Sequence, residues 1–241
     1  MFSIDKGGLG VMENSKHQAR LLGLVFLIVA IASIASALLT QNILKGSIIS
    51  DQLRAINENE LLFRIAIFID LITGVAIVVL GVLLYQLLNA GYQTISLVAL
   101  MMYLAEAIIL AVSKTGLFEL IPLGERVMGS DSSVLTQAEI LGIILIDSSQ
   151  VGWSIHMLFF SIGALLFYSL FFKKRLIPRW LVSWGLTAAS LAFIHTIWAF
   201  MDPAERMLLL LPTMFFELTL GFWLMIKGFN LSSREQIGVT K

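Results

Sequence analysis

The chain has 241 residues, of which 58% are hydrophobic and 13% charged, with a net charge of +0 and a mean hydropathy of +0.91. A soluble domain is closer to half apolar and about a quarter charged, so the composition excludes an ordinary soluble protein and indicates one whose solvent includes lipid. The charge balance argues against a nucleic-acid partner, and the lack of cysteine excludes disulfides, thiol catalysis and cysteine-held zinc or iron–sulfur sites.

The hydropathy pattern predicts an all-α, polytopic membrane helix bundle. A helix that crosses a bilayer needs about 20 mostly apolar residues. Six segments meet that requirement, at residues 21–40, 61–88, 95–112, 151–172, 180–200 and 207–226. We therefore expect six transmembrane helices within residues 21–228, between an N-terminal tail (1–20) and a C-terminal tail (229–241).

Helix-start signals occur in the two loops that precede the fourth and sixth spans. Thr136-Gln-Ala-Glu139 has the form of a capping box and predicts a short apolar helix over 137–146. Asp147-Ser-Ser-Gln150 is typical of a second cap, from which the fourth span would start. Asp202-Pro-Ala-Glu205 similarly predicts the start of the last span. The long loop between the third and fourth spans is thus expected to form an interfacial lid.

The distribution of lysine and arginine predicts the orientation. With the N-terminus inside, ten of these residues fall on the inner side and six on the outer side, and the loop 173–179 (KKRLIPR) is the densest cluster. Basic loops resist translocation, so both termini are expected to be cytoplasmic, in the inner membrane of a bacterial cell.

The first span also permits a second interpretation. Ala35-Ser-Ala37 after an apolar core resembles a signal-peptide cleavage site. The apolar run has full spanning length, however, and its small residues suit helix packing equally well. We expect an uncleaved span.

Ionisable side chains within the predicted spans are the candidate site. Charges inside a membrane usually face the bundle interior and mark function. Those in or at the ends of the spans are Arg64, Asp70, Glu106, His156, His195 and Glu217. Helical periodicity places all but Arg64 on faces rich in small or hydroxyl residues, which are typical of helix contacts. These five lie between the outer ends of their spans and mid-membrane, which predicts a pocket that opens outward rather than a transmembrane path.

Each candidate also has a purely structural interpretation. Arg64 follows Glu60 by four residues, as in a surface ion pair. Asp70, like the glutamates, is either paired with another helix or a protonated packing residue. Each histidine, taken alone, is more often a hydrogen-bonded core residue.

The residue types admit a metal site, although the spacing gives only a weak signal. Imidazole and carboxylate ligands suit zinc, manganese or iron, with His156, His195, Glu217 and Asp70 as the candidates. No pair of them has a short ligand spacing such as HxxxH. The sequence therefore does not decide whether the protein binds a metal ion as a cofactor.

Several stretches resemble a known family: LFRIAIFIDLITGVAIVVLGVLLYQLL, LAEAIILAV, HMLFFSIGALLFYSLFFKKRLIPRWLVSWGLTAASL and LLPTMFFELTLGFWLMIKG. Together they resemble a bacterial multi-pass integral-membrane family that is known only as a domain of unknown function. The resemblance extends from about Ala19 to Gly228. It implies a location and a topology but no chemistry.

Three function classes follow from these patterns. The first is a membrane protein that binds a small or lipid-like ligand, or a partner protein, in the outward pocket. The second is a metal-assisted hydrolase or transferase that acts on a lipid. The third is a small-solute transporter built on two three-helix halves, with Glu106 in one and Glu217 in the other.

Overall fold

The computed structural model describes residues 6–46, 48–127, 132–201 and 207–230, and every regular element in these ranges is helical. The α-helices are α1 (Lys6–Ile43), α2 (Ile49–Glu58), α3 (Glu60–Leu88), α4 (Gln93–Ser113), α5 (Thr115–Val127), α6 (Ser132–Lys174), α7 (Arg179–Met201) and α8 (Leu211–Ile226). A short 3-10 helix, Met207–Leu209, precedes α8. Helix α1 begins within the predicted tail, whereas residues 1–5 and 231–241 and the predicted cap at 202–205 lie outside the described residues.

The predicted all-α membrane bundle is confirmed. Within the described ranges, five helical stretches are long and apolar enough to cross a membrane: Lys16–Ile43, Glu60–Leu88, Gln93–Val127, Ser133–Lys174 and Arg179–Met201. The sixth predicted span is shorter than expected, because α8 has 16 residues and a length of about 24 Å. Pro212 lies in its first turn, where the missing N–H of proline is tolerated.

The membrane helices pack as a closed circuit. Helix α1 packs against α3 and α8, α3 against α4, α4 against α6, α6 against α7, and α7 against α8. A main apolar core fills the bundle and includes Phe26, Leu84, Phe167 and Phe216. Helices α1 and α8 are in close contact at Gly23, where an added Cβ would lie 2.7 Å from the carbonyl oxygen of Gly221.

Two hydroxyl groups bond across helix interfaces. Ser36 Oγ donates to the carbonyl oxygen of Ala66, joining α1 to α3 at 2.9 Å. Thr213 Oγ1 donates to the carbonyl oxygen of Ala188, joining α8 to α7 at 3.1 Å. Ser36 of the first span thus packs against a neighbouring helix, whereas Ser33 and Ala37 are exposed, so the packing interpretation holds for only part of the small residues.

A second apolar core lies where α1 ends and α3 begins, which is the outer end of the bundle in the predicted orientation. It joins α2, α5 and the first part of α6 through buried residues that include Leu53, Ile56, Leu120 and Ala138. Helices α2 and α5 are in close contact, because an added Cβ at Gly124 would lie 2.7 Å from the carbonyl oxygen of Leu53. We call this three-helix unit the outer cap.

The outer cap corrects part of the loop prediction. A short helix does occupy the loop between the third and fourth spans, but it is α5 at 115–127, and segment 137–146 belongs to α6. The predicted second helix start at Asp147 is wrong, since α6 continues through it. Asp147 and Ser148 are exposed on the helix surface, where polar side chains meet no obstacle to helical structure. Helix α2 was not predicted.

Candidate functional site

A cavity of about 350 Å³ lies in the half of the bundle next to the outer cap. Its walls come mainly from α1, α3, α4, α6 and α8, and they carry five ionisable side chains, namely those of Asp70, Glu106, Lys114, His156 and Glu217. The rest of the wall is mostly apolar and includes Ile77, Leu110 and Phe160. Ser33, Ala37 and Gln41 line the cavity along one face of α1 and are exposed, so the cavity is open on that side.

Asp70 is paired with a lysine at the edge of this cavity. Lys114 Nζ lies 2.7 Å from Asp70 Oδ2, and the two side chains are only 10% and 12% exposed. Asp70 lies on the buried face of α3 together with Ala66, Thr73 and Gly74, as the periodicity predicted. Lys114 directly follows α4 and reaches back to α3. The pair neutralises both charges where neither is well hydrated.

Glu106 and His156 form the most buried polar pair of the cavity. Glu106 lies on the buried face of α4 and is 2% exposed, whereas His156 of α6 is 8% exposed. His156 Nδ1 lies 3.9 Å from Glu106 Oε1, which is too far for a hydrogen bond. Among the described residues, neither His156 Nδ1 nor Glu106 Oε2 has a hydrogen-bond partner.

Glu217 brings a second carboxyl group to the same region. It lies on α8 one turn after Thr213, and both residues line the cavity. Glu217 is within electrostatic range of Glu106, and both carboxyl groups are within range of the buried phenols of Tyr103 and Tyr168. Four of the six predicted residues, Asp70, Glu106, His156 and Glu217, therefore line one cavity.

The other two predicted residues lie apart from the cavity. His195 is buried on α7, and its ring packs edge-on against the ring of Trp153, with 6.4 Å between centroids. Trp153 lines the cavity, and His195 contacts the Trp153 ring without lining the cavity itself. Arg64 Nε pairs with Glu60 Oε1 at 2.6 Å, and the arginine side chain is 49% exposed. Arg64 and Glu60 thus form the surface ion pair that the structural interpretation of Arg64 predicted.

The geometry gives no support to a metal site. Among the described residues, no three histidine, aspartate or glutamate side chains come together as a metal-binding group. His156, His195, Glu217 and Asp70 are divided between the cavity, the α7 side of Trp153 and the ion pair with Lys114. Structural zinc sites use four ligands and catalytic sites at least three protein ligands, so the predicted set does not fit such a site.

Sequence reasoning missed Lys114 as a member of the site. The residue lies just past the predicted third span, where it is one of the six basic residues on the outer side of the predicted topology. Its helical phase was nevertheless informative, because Glu106, Leu110 and Lys114 are spaced by four and all line the cavity. Extending the face analysis by one turn beyond the apolar segment would have found it.

The comparison with protein families gives a match over most of the chain. Residues 21–228 match the family described as domain of unknown function (DUF4386). The chain belongs to this family. Searches of curated proteins and of solved structures found no match. Membership agrees with the resemblance seen in the sequence and with a multi-pass membrane protein, and it assigns no activity to the cavity.

Proposed function

We propose that this multi-pass membrane protein binds a small molecule with an apolar body and a polar end in the cavity between α1, α3, α4, α6 and α8. The polar end would lie against Glu106 and His156, and the body against the apolar wall. Ligand sites of this kind are concave and mostly apolar, with a few polar groups that fix orientation.

The unsatisfied polar atoms of Glu106 and His156 carry this proposal. A buried polar group without a hydrogen-bond partner costs about 1–3 kcal/mol, and a charged one costs more. Glu106 Oε2 and His156 Nδ1 both have this deficit among the described residues, and both side chains belong to the wall of an accessible cavity. A bound ligand that supplies complementary groups would remove the deficit.

The size of the cavity favours one small molecule over a complete membrane lipid. Its volume of about 350 Å³ is near the lower end of the range of about 300–1,000 Å³ for ligand pockets. The opening along Ser33, Ala37 and Gln41 gives such a molecule a route to the wall.

The proposal is tested by obstructing that opening. Ala37→Phe places a ring in the cavity, whereas Leu38→Phe is a matched control on an exposed neighbouring position. The midpoint of thermal unfolding is measured in nanodiscs with 1-octanol, octylammonium and octyl phosphate. We expect at least one compound to stabilise the wild type and Leu38→Phe but not Ala37→Phe. Equal responses of all three proteins would refute binding in this cavity.

The alternatives have less support. A metal-assisted hydrolase needs a ligand set that the described residues do not bring together. A transporter needs polar groups along a path to the other side, but beyond Tyr103 and Glu217 at mid-span the inner halves of the predicted spans carry only Tyr85 and Tyr168 as ionisable residues. The ligand-binding function is therefore the one that we propose.

Orientation and location are part of the same proposal. With both termini in the cytoplasm of a bacterial cell, the cavity would open toward the outer face of the inner membrane. The basic residues of the α6–α7 connection support this orientation by the charge rule. Two of them also contact aromatic rings at that end of the bundle, Lys173 with Tyr92 and Arg179 with Phe172.

A further inference from the structure

We infer that the cavity is selective for an organic cation, a protonated amine on an apolar body. This inference rests on the proposed function, to which it adds the charge of the ligand. Its basis is the way in which the ionisable side chains of the cavity are already paired.

The cavity wall contains more acidic than basic groups. Asp70, Glu106 and Glu217 are acidic, Lys114 is basic, and His156 is basic only when it is protonated. Lys114 is already engaged, because Asp70 Oδ2 lies 2.7 Å from its ammonium nitrogen. Apart from this ion pair, the ionisable groups of the cavity wall are two carboxyl groups and one imidazole.

The remaining groups can accept hydrogen bonds from a cation. Glu106 Oε2 is buried and has no hydrogen-bond partner among the described residues. Glu217 lies within electrostatic range of it, from the opposite helix α8. A primary ammonium carries three N–H donors and no acceptor, so it can donate to carboxylate oxygens of the cavity wall. Such charge-assisted hydrogen bonds are about twice as strong as neutral ones.

An anionic ligand would meet the opposite situation. A phosphate or carboxylate would compete with Asp70 for Lys114, and the displaced aspartate would then lack a partner in a poorly hydrated place. It would also lie near the carboxyl groups of Glu106 and Glu217, which offer an anion no positive charge. A neutral alcohol would not displace Asp70 from Lys114, and it would not gain an ionic interaction with the carboxyl groups.

Three amphiphiles with the same tail test the inference. Octylammonium, octyl phosphate and 1-octanol are titrated into wild-type protein in phosphatidylcholine nanodiscs, and binding constants are taken from the shift in thermal unfolding. We expect octylammonium to bind at least about tenfold more tightly than the other two. If octyl phosphate binds as tightly as octylammonium, or more tightly, the inference is wrong.

A carboxyl-to-amide substitution assigns the selectivity to the site. Glu106→Gln should lower the affinity for octylammonium about tenfold relative to the affinity for 1-octanol, since the ionic contribution is lost only for the cation. Glu60→Gln is the control, because this exposed carboxylate pairs with Arg64 outside the cavity. If Glu106→Gln does not fold, Glu217→Gln serves the same purpose. An unchanged preference for octylammonium in a folded variant would overturn the inference.

The same experiments separate this inference from the proposed function. If the three compounds bind equally and Ala37→Phe abolishes binding, the cavity binds ligands without charge selection and only the inference fails. If none binds, both fail. Nanodiscs that contain phosphatidylethanolamine, whose headgroup carries a primary ammonium, identify the source: competition with octylammonium indicates a lipid headgroup, and its absence indicates a free amine. Either result agrees with selectivity for a cation.

Discussion

Lys114, which directly follows α4, holds its ammonium nitrogen 2.7 Å from the carboxylate of Asp70 in α3, and the two side chains are nearly buried. This ion pair explains how an aspartate can occur in the otherwise apolar stretch IAIFIDLITGVAI. The acid lies at the edge of a cavity, and its charge is compensated by a residue 44 positions later in the chain.

The first prediction concerns this pair. Asp70→Asn leaves the lysine charge buried without a counter-ion, and Lys114→Met does the same to the aspartate, so each should lower the free energy of unfolding by about 3–5 kcal/mol. The double variant should be considerably more stable than either single one. Unfolding in detergent measures all three. Glu60→Gln, which breaks an exposed pair, should cost about 0.5 kcal/mol or less, and an equally small loss for Asp70→Asn would contradict the assignment.

The second prediction compares two glycines. Gly23→Ala should destabilise the protein by about 1–3 kcal/mol, because the new methyl group would lie 2.7 Å from the backbone oxygen of Gly221. Gly74→Ala should be neutral, or stabilising by up to about 1 kcal/mol, since its nearest neighbour would be the Ala107 oxygen at 3.5 Å and alanine favours helix. Unfolding midpoints of the two variants decide this, and the reverse order would disprove the close α1–α8 contact.

The third prediction concerns the hydrogen bond between α1 and α3. Ser36→Ala removes the donor to the Ala66 carbonyl and should cost about 0.5–1.5 kcal/mol, the range measured for bonds between membrane helices. Ser190→Ala is the control, because its hydroxyl is exposed and bonds only within its own helix, to Leu186. No difference between the two variants would mean that the Ser36 bond contributes nothing to packing.

The fourth prediction tests the orientation. The chain has no cysteine, so single cysteines can be introduced without a background. Lys45→Cys, in the exposed α1–α2 connection, should react in intact cells with a maleimide that cannot cross the membrane. Ala90→Cys, in the exposed α3–α4 turn, should react only after the cells are permeabilised. The opposite pattern would invert the proposed topology.

The sequence predicted the membrane helices well because their signal is strong and local. A long apolar segment has few alternatives to a transmembrane helix. The sequence also predicted which faces of α3 and α4 are buried. Small residues recur at helical spacing beside Asp70 and Glu106, and they are buried in the structure.

The sequence did not predict the outer cap or the ion pair, for physical reasons. Polar residues such as Asp147 and Ser148 look like a helix start, but they are equally stable on the exposed side of a continuous helix. The helical phase of Lys114 places it on the face of Glu106, but nothing local indicates that its ammonium group pairs with Asp70 of α3. The choice in both cases depends on tertiary contacts, which a single sequence does not display.

The close contact at Gly23 and Gly221 has a consequence for biogenesis. It joins the first and last of the described membrane helices, and α8 also supplies Thr213, Met214 and Glu217 to the cavity wall. During synthesis, the earlier helices enter the bilayer while one side of the future cavity is still missing. The cavity therefore comes into existence only when α8 has been inserted and has docked on α1, so a ribosome-bound chain that lacks this helix has no site to occupy.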